Sequence, residues 1–174
     1  MSVFENVLEC FLRSYSIYYN VIREGAAEPF DAEADFRSTQ EQYFLIKSAK
    51  ISETAAHEFV YFASCPVLTQ ELLERFESAA WEKGLEKVSP AYGLQRADVL
   101  LYIITGEIPE GMDRKIKHTR HSKSFGFSFW GTSHFKLVVL EYPSCRLVMN
   151  RLGREQKKLV SNILKSHNLK GEKK

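Results

Sequence analysis

The sequence predicts a single α+β domain in which helices pack on a largely antiparallel β-sheet. Apolar residues recur every three or four positions near both ends and in the middle of the chain, which is the period of a helix. Most other segments show the strand period of two or a short continuous apolar run, and turn residues separate them. The predicted order of elements is α-β-β-β-α-β-β-β-β-α.

The length and composition are those of one ordinary globular domain. A chain of 174 residues can bury a sizeable core, and we assign residues 1–168 to the domain and residues 169–174 to a short, basic, flexible tail. Three widely spaced cysteines indicate reduced thiols, and the charged N-terminal segment is unlike a secretory signal. No apolar run has the length of a membrane helix. We therefore expect a cytoplasmic protein with no membrane partner.

The first predicted helix has a broad apolar face and is rich in tyrosine. It begins at a capping box formed by Ser2 and Glu5 and ends near Gly25. Short loops join the three strands that follow, which is typical of an antiparallel meander. These strands are predicted at residues 31–37, 42–51 and 58–64.

The central helix has clear signals at both ends. Thr69 is the expected N-cap, and Gly84 is expected to supply the left-handed residue that ends the helix. The apolar run at residues 97–106 is typical of a strand that is covered on both faces. Later strands are predicted at residues 125–130, 134–141 and 145–150, and the final helix at residues 154–167.

Charge is divided unevenly along the chain. The net charge is only +2, but residues 1–113 carry 19 acidic and 9 basic side chains, whereas residues 114–174 carry 3 acidic and 15 basic ones. No acidic residue lies between Asp113 and Glu141. This split predicts either a polyanionic partner or two halves of one fold that attract each other.

The segment KIKHTRHSKSFGFSFWG, residues 115–131, is the strongest functional signal. Dense cations neutralise phosphates, and exposed rings stack on bases. Because alternating phenylalanines are also typical of a buried strand, we expect Phe125, Phe127 and Phe129 in the core and Trp130 as the stacking residue. The predicted polyanion-binding residues are Arg114, Lys115, Lys117, Arg120, Lys123 and Trp130.

A second hypothesis rests on Asp31, Glu33 and Asp35, which alternate along one predicted strand. Carboxylates on one face suit a divalent cation, so a metal-dependent hydrolase or nuclease is an alternative, as is a small-molecule enzyme with a cleft. The competing interpretation is the solvated face of an edge strand, where charge prevents aggregation. A protein-interaction domain remains a third possibility.

Known catalytic patterns do not fit the chain. Nucleases of the PD-(D/E)XK type also begin with a helix and three strands, but here the second strand carries Lys47 and Lys50 without an interior acid, and Val60 stands where the third strand would need a lysine. No phosphate-binding loop or dinucleotide motif occurs, and no cofactor or metal site is predicted. We expect a binding or accessory protein whose basic half contacts nucleic acid or a phosphate-bearing ligand. Whether it is also an enzyme stays open.

Overall fold

A seven-stranded sheet organises the chain in the computed structural model, which describes residues 3–37, 55–90 and 94–169. The strands are β1 (Asn20–Ile22), β2 (Ala32–Arg37), β3 (Ala55–Val67), β4 (Leu94–Glu107), β5 (Ser122–Ser124), β6 (Thr132–Glu141) and β7 (Arg146–Met149). The helices in these ranges are α1 (Val3–Tyr15), α2 (Gln70–Lys87), α3 (Met112–His118) and α4 (Lys157–Ser166). Short 3₁₀ turns occupy Gly126–Ser128 and Gly153–Gln156.

The sheet is mixed. Its strand order is β1-β2-β3-β4-β6-β5, and β7 pairs with β6 beside β5. The pairs β3–β4 and β4–β6 are parallel, and the other pairs are antiparallel. Four of these six pairs are antiparallel, so the prediction of a largely antiparallel sheet is confirmed in this coarse form, but its parallel centre was not predicted. The helices between β3 and β4 and between β4 and β6 carry the chain back, so these strands run side by side in one direction.

Helices cover both faces of the sheet, so the fold has three layers. On one face, α1 and α4 bury residues such as Phe11 and Val160 against β3, β4 and β6. On the other face, α2 and α3 bury residues such as Phe76 and Ile116. The predicted α and β content, with helices near both ends and in the middle, is confirmed in this coarse form.

The predicted start of the central helix is confirmed, but its predicted end is wrong. Leu72 donates its backbone N–H to the Thr69 side chain at 3.3 Å, so Thr69 is the N-cap. Gly84, however, lies inside α2, which continues to Lys87. A Cβ at Gly84 would lie 2.4 Å from Cγ2 of Val99, so glycine is needed here for close contact between helix and sheet.

The N-terminal elements also differ from expectation. Helix α1 ends at Tyr15, and residues 20–22 form β1 instead of further helical turns. Because β1 pairs with β2, the strand that carries the acidic residues is not an edge strand.

The segment at residues 125–130 is not a core strand. It forms the loop between β5 and β6, while α3 occupies the preceding basic stretch, for which no helix was predicted. The predicted strand at residues 42–51 and most of the predicted tail lie outside the described residues. No helix in the described part of the chain has the length and apolar character needed to cross a membrane.

Candidate functional site

The loop between β5 and β6 presents large aromatic side chains to solvent. Phe127 is 97% exposed, Phe129 is 73% exposed and Trp130 is 52% exposed. Phe125 is partly buried against the core, and the Lys123 ammonium lies 5.4 Å from the centre of its ring. The expected core position of Phe127 and Phe129 is therefore wrong, and the exposed position expected for Trp130 is found. We call Phe127, Phe129 and Trp130 the aromatic tip.

The backbone of the aromatic tip is an ordered turn. Trp130 N–H donates a hydrogen bond to Phe125 C=O at 3.2 Å, and Phe129 N–H donates to Gly126 C=O at 3.0 Å. Phe127 and Ser128 have φ of 54° and 71°, an arrangement that costs non-glycine residues free energy. Strained residues of this kind cluster at active sites, ligand clamps and switch regions.

Trp130 also has a defined position. A Cβ at Gly126 would lie 2.9 Å from Cδ2 of Trp130, so the indole packs directly on the glycine backbone. The ring is thus held at the tip while about half of its surface stays accessible.

The predicted cations are spread over consecutive elements. Arg114, Lys115 and Lys117 lie on α3, Arg120 follows the helix, and Lys123 lies on β5. Their surroundings divide them into two groups. Lys115 donates to the Gln70 side chain, and Lys117 lies 3.9 Å from an Asp113 carboxylate oxygen.

The other three cations, Arg114, Arg120 and Lys123, are exposed and form no ion pair with any carboxylate that the structure describes. They are the members of the predicted set that are most available to an external anion.

A cleft of about 370 Å³ opens beside the β5–β6 hairpin. It lies between the segment that joins α3 to β5 and the segment that follows β7, and none of its described lining residues is acidic. The lining residues are Thr119, Arg120, His121, Ser122, His134, Phe135, Asn150, Arg151 and Leu152. Arg120 is shared with the predicted set, whereas Arg151 and His134 are additions from the structure.

The buried side chain of Asn150 builds this cleft. Its Nδ2 donates to the carbonyl oxygens of Thr119 and Phe135, both at 3.0 Å. Its Oδ1 accepts from Leu137 N–H at 3.0 Å and from Gly153 N–H at 2.7 Å. One amide thus joins the segment before β5, the edge of β6 and the turn after β7.

Comparison with known proteins identifies the family but not a function. A family model described as "Domain of unknown function (DUF8052)" matches residues 3–162. The chain belongs to the DUF8052 family. No curated protein and no solved structure matches it.

In this DUF8052 domain, Asp31, Glu33 and Asp35 are bound to other side chains of the fold and do not form one three-carboxylate site. Asp31 precedes the strand and accepts a hydrogen bond from the Ser64 hydroxyl at 2.7 Å. Glu33 and Asp35 both bind the Lys87 ammonium, at 2.9 and 3.1 Å. Among the residues that the structure describes, no group of three or more His, Cys, Asp and Glu side chains could hold a metal ion.

A buried ion network joins the three parallel strands of the DUF8052 domain. Lys136 on β6 lies 3.0 Å from carboxylate oxygens of both Glu58 on β3 and Asp98 on β4, and 3.2 Å from Glu155. Burial opposes the charge on Lys136, but the neighbouring carboxylates outweigh it and raise the pKa of the ammonium. The surrounding carboxylates therefore favour the charged form of Lys136 over a neutral amine nucleophile. The network is suited to holding the sheet together.

The remaining candidates carry little chemistry. Burial raises the pKa of the thiols of Cys10, Cys65 and Cys145, which lowers their thiolate fraction at neutral pH. His121 binds a Glu77 carboxylate oxygen through Nε2 at 2.6 Å and stacks on Trp81. The cysteines are therefore weak nucleophiles, and His121 is engaged within the fold.

Sequence reasoning missed the exposed phenylalanines and Arg151 as site residues. The alternating phenylalanines of FGFSFW fit both a buried strand and a projecting loop, although the glycines at 126 and 131 indicated a turn. Arg151 had no comparable signal, because Asn150 brings it near Arg120 through contacts between distant segments.

Proposed function

We propose that this DUF8052 domain is a non-catalytic binding protein for single-stranded nucleic acid. The binding surface consists of the aromatic tip, the stem of its hairpin and the cations Arg120 and Lys123 on or next to that stem, with Arg114 farther away on α3. The observation that carries the proposal is the exposure of three large rings on a hydrogen-bonded turn, in the same hairpin as Lys123, which pairs with no described carboxylate.

The rings favour a single strand over a duplex. Stacking on an aromatic side chain requires a base with an accessible face, and single strands present such faces along their whole length. Each stacked base is typically worth about 1–3 kcal/mol as measured by alanine substitution. Phe129 and Trp130 are adjacent in sequence and both exposed, so successive bases can be contacted.

The cations supply affinity without sequence choice. Arginine and lysine side chains near phosphates release counterions, which makes binding fall with salt. Arg114, Arg120 and Lys123 meet this requirement because no described carboxylate competes for them. Lys115 and Lys117 contribute less, since they already contact Gln70 and Asp113.

Fluorescence anisotropy with a labelled oligothymidylate tests the proposal. We expect saturable binding whose logarithmic salt slope becomes shallower by about 0.7 for each phosphate-contacting cation that is replaced. Arg120→Ala and Lys123→Ala should each have this effect. The matched control is Lys165→Ala, which removes an exposed cation from the end of α4.

The aromatic tip is tested separately from the cations. Phe129→Ala and Trp130→Ala should each weaken binding roughly 5- to 150-fold while leaving the salt slope unchanged, since stacking releases no counterions. A duplex of the same length should bind more weakly than the single strand. Affinity that is insensitive to salt, or unaffected by both ring substitutions, would refute the proposal.

Exposed rings beside cations can also serve a protein partner or an anionic lipid surface. Sedimentation of the protein with anionic vesicles, and sedimentation at rising protein concentration, are therefore run in parallel. If the protein does not bind oligothymidylate but binds vesicles or self-associates in a salt-sensitive way, the proposed partner becomes a lipid surface or a second copy of the protein.

A further inference from the structure

The cleft beside the hairpin has the features of a built anion site. Arg120 and Arg151 are exposed at its rim, and neither forms an ion pair with a carboxylate in the described part of the chain. Ser122 and His134, which are opposite one another in the β5–β6 ladder, complete its polar lining. The side chains of Arg120, Arg151 and Ser122 are hydrogen-bond donors, whereas the Asn150 amide and His121 Nε2 are already engaged within the fold.

The positions of the two arginines are fixed by buried groups. Asn150, which is buried, directly precedes Arg151 and donates to the carbonyl of Thr119, which directly precedes Arg120. Phe135 N–H also donates to the His121 carbonyl at 3.0 Å. Two residues that are distant in sequence are therefore held at one opening by a network that solvent does not reach.

We propose that this cleft binds a terminal phosphate group, a phosphomonoester, between Arg120 and Arg151. A phosphomonoester carries close to two negative charges at pH 7, and two guanidinium groups match that charge. A phosphodiester within a strand carries only one. The volume of about 370 Å³ lies at the small end of the range for ligand pockets, which suits a phosphate with part of a nucleoside.

This inference rests on the proposed function, because it assumes that the phosphate belongs to a bound single strand. It adds to that proposal a specific site for the end of the strand. Because Ser122 and Lys123 start the hairpin that leads to the aromatic tip, a strand that ends in the cleft can continue along β5 toward the rings. The expected ligand class is a single strand with a phosphorylated end. A mononucleotide is the smallest ligand that contains the same group.

His121 lines the cleft but is not available to bind the phosphate. Its Nε2 is bonded to Glu77, and its ring lies between Trp81 and Phe135, at centroid distances of 5.4 and 5.3 Å. It shapes the wall of the cleft, and the arginines provide the charge. The test therefore concentrates on Arg120 and Arg151.

The experiment compares oligothymidylates with a 5′-phosphate, a 3′-phosphate or hydroxyl groups at both ends, each labelled internally. One phosphorylated strand should bind at least about tenfold more tightly than the hydroxyl strand at physiological salt. The double substitution R120Q/R151Q should abolish this preference. K165Q, on α4, should retain it. Both arginines are exposed, and melting curves verify that the variants are folded.

The outcomes separate this inference from the proposed function. Equal affinity for all three strands, or a preference that survives in R120Q/R151Q, would overturn the inference and leave strand binding itself intact. A parallel calorimetric titration compares thymidine monophosphate, thymidine and inorganic phosphate. Binding of the monophosphate alone, lost in R120Q/R151Q and without any strand binding, would support the cleft and refute the strand proposal. If no phosphate compound binds, the inference is refuted.

Discussion

Replacement of Lys136 by methionine should destabilise the domain strongly. The lysine side chain is 7% exposed and lies 3.0 Å from carboxylates of Glu58 and Asp98, which are 14% and 5% exposed. Lys136→Met fills a similar volume but leaves both carboxylates without their shared cation. Removal of one partner from a buried ion pair typically costs about 3–5 kcal/mol. For a chain of 174 residues, this corresponds to a fall in melting temperature of roughly 6–20 °C.

Other groups can compensate for only part of this loss. Tyr19 donates to the second carboxylate oxygen of Glu58 at 2.8 Å, and Arg96 lies 2.5 Å from Asp98. The other oxygen of Asp98 is buried and has no hydrogen-bond partner among the described groups. Loss of the Lys136 contact therefore removes a partner from the Asp98 carboxylate, which is already poorly solvated.

Urea denaturation followed by circular dichroism measures the effect. Lys165→Met, on the exposed end of α4, is the matched control and should change the unfolding free energy by less than about 0.5 kcal/mol. The second variant, E58Q/K136M, removes one of the carboxylate charges that K136M leaves uncompensated, and it should recover part of the lost unfolding free energy. A K136M protein within about 1 kcal/mol of the unchanged one would refute this account of the network.

Three further predictions concern other parts of the fold. Gly84→Ala should destabilise by about 1–2 kcal/mol in urea denaturation, because the clash with Val99 outweighs the gain in helix propensity; a more stable variant would show that the helix can shift. Burial raises the pKa of Tyr15 and Tyr102 above the usual 10, so the unfolded state loses these protons first and stability should fall above about pH 10, by up to about 1.4 kcal/mol per pH unit for each tyrosine. Denaturation at increasing pH checks this, and Tyr15→Phe should reduce the slope. Phe127→Gly should raise stability by up to about 1 kcal/mol by relieving its left-handed backbone, yet weaken oligothymidylate binding in the anisotropy assay; equal binding would exclude the ring from the surface.

Elements with local signals could be predicted from the sequence. Thr69 and the apolar stripe behind it define the start of α2 because an N-cap is formed within one turn of helix. The long apolar run at 97–106 became β4, covered on both faces, since buried parallel strands need no alternation. In both cases the physical cause lies within a few residues of the pattern.

The errors arise where one pattern fits two structures. Ile22 continues the apolar spacing of the first predicted helix, but Val21 and Ile22 are β-branched residues, which favour strands, and they form part of β1. Phe127 and Phe129 alternate as in a strand, yet two left-handed residues turn them outward. Only tertiary contacts distinguish these alternatives, so the spacing of residues could not.

Sites formed by distant segments were beyond sequence reasoning. Glu58, Asp98 and Lys136 meet because the parallel crossovers place their strands side by side. Arg120 and Arg151 line one cleft because a single buried amide joins the segments that carry them. Neither arrangement has a characteristic spacing.

The uneven charge of the chain is used in two different ways. Lys136, from the basic part, is buried against carboxylates from the acidic part, which is the attraction between halves that the charge split allowed. Arg114, Arg120 and Arg151 stay on the surface without a described carboxylate partner. Salt distinguishes the two uses, because it screens exposed charges strongly and buried pairs weakly. If the surface cations exist for an external anion, added salt should abolish ligand binding at concentrations that leave the unfolding free energy almost unchanged. A parallel loss of stability and binding would instead show that these cations act mainly within the fold.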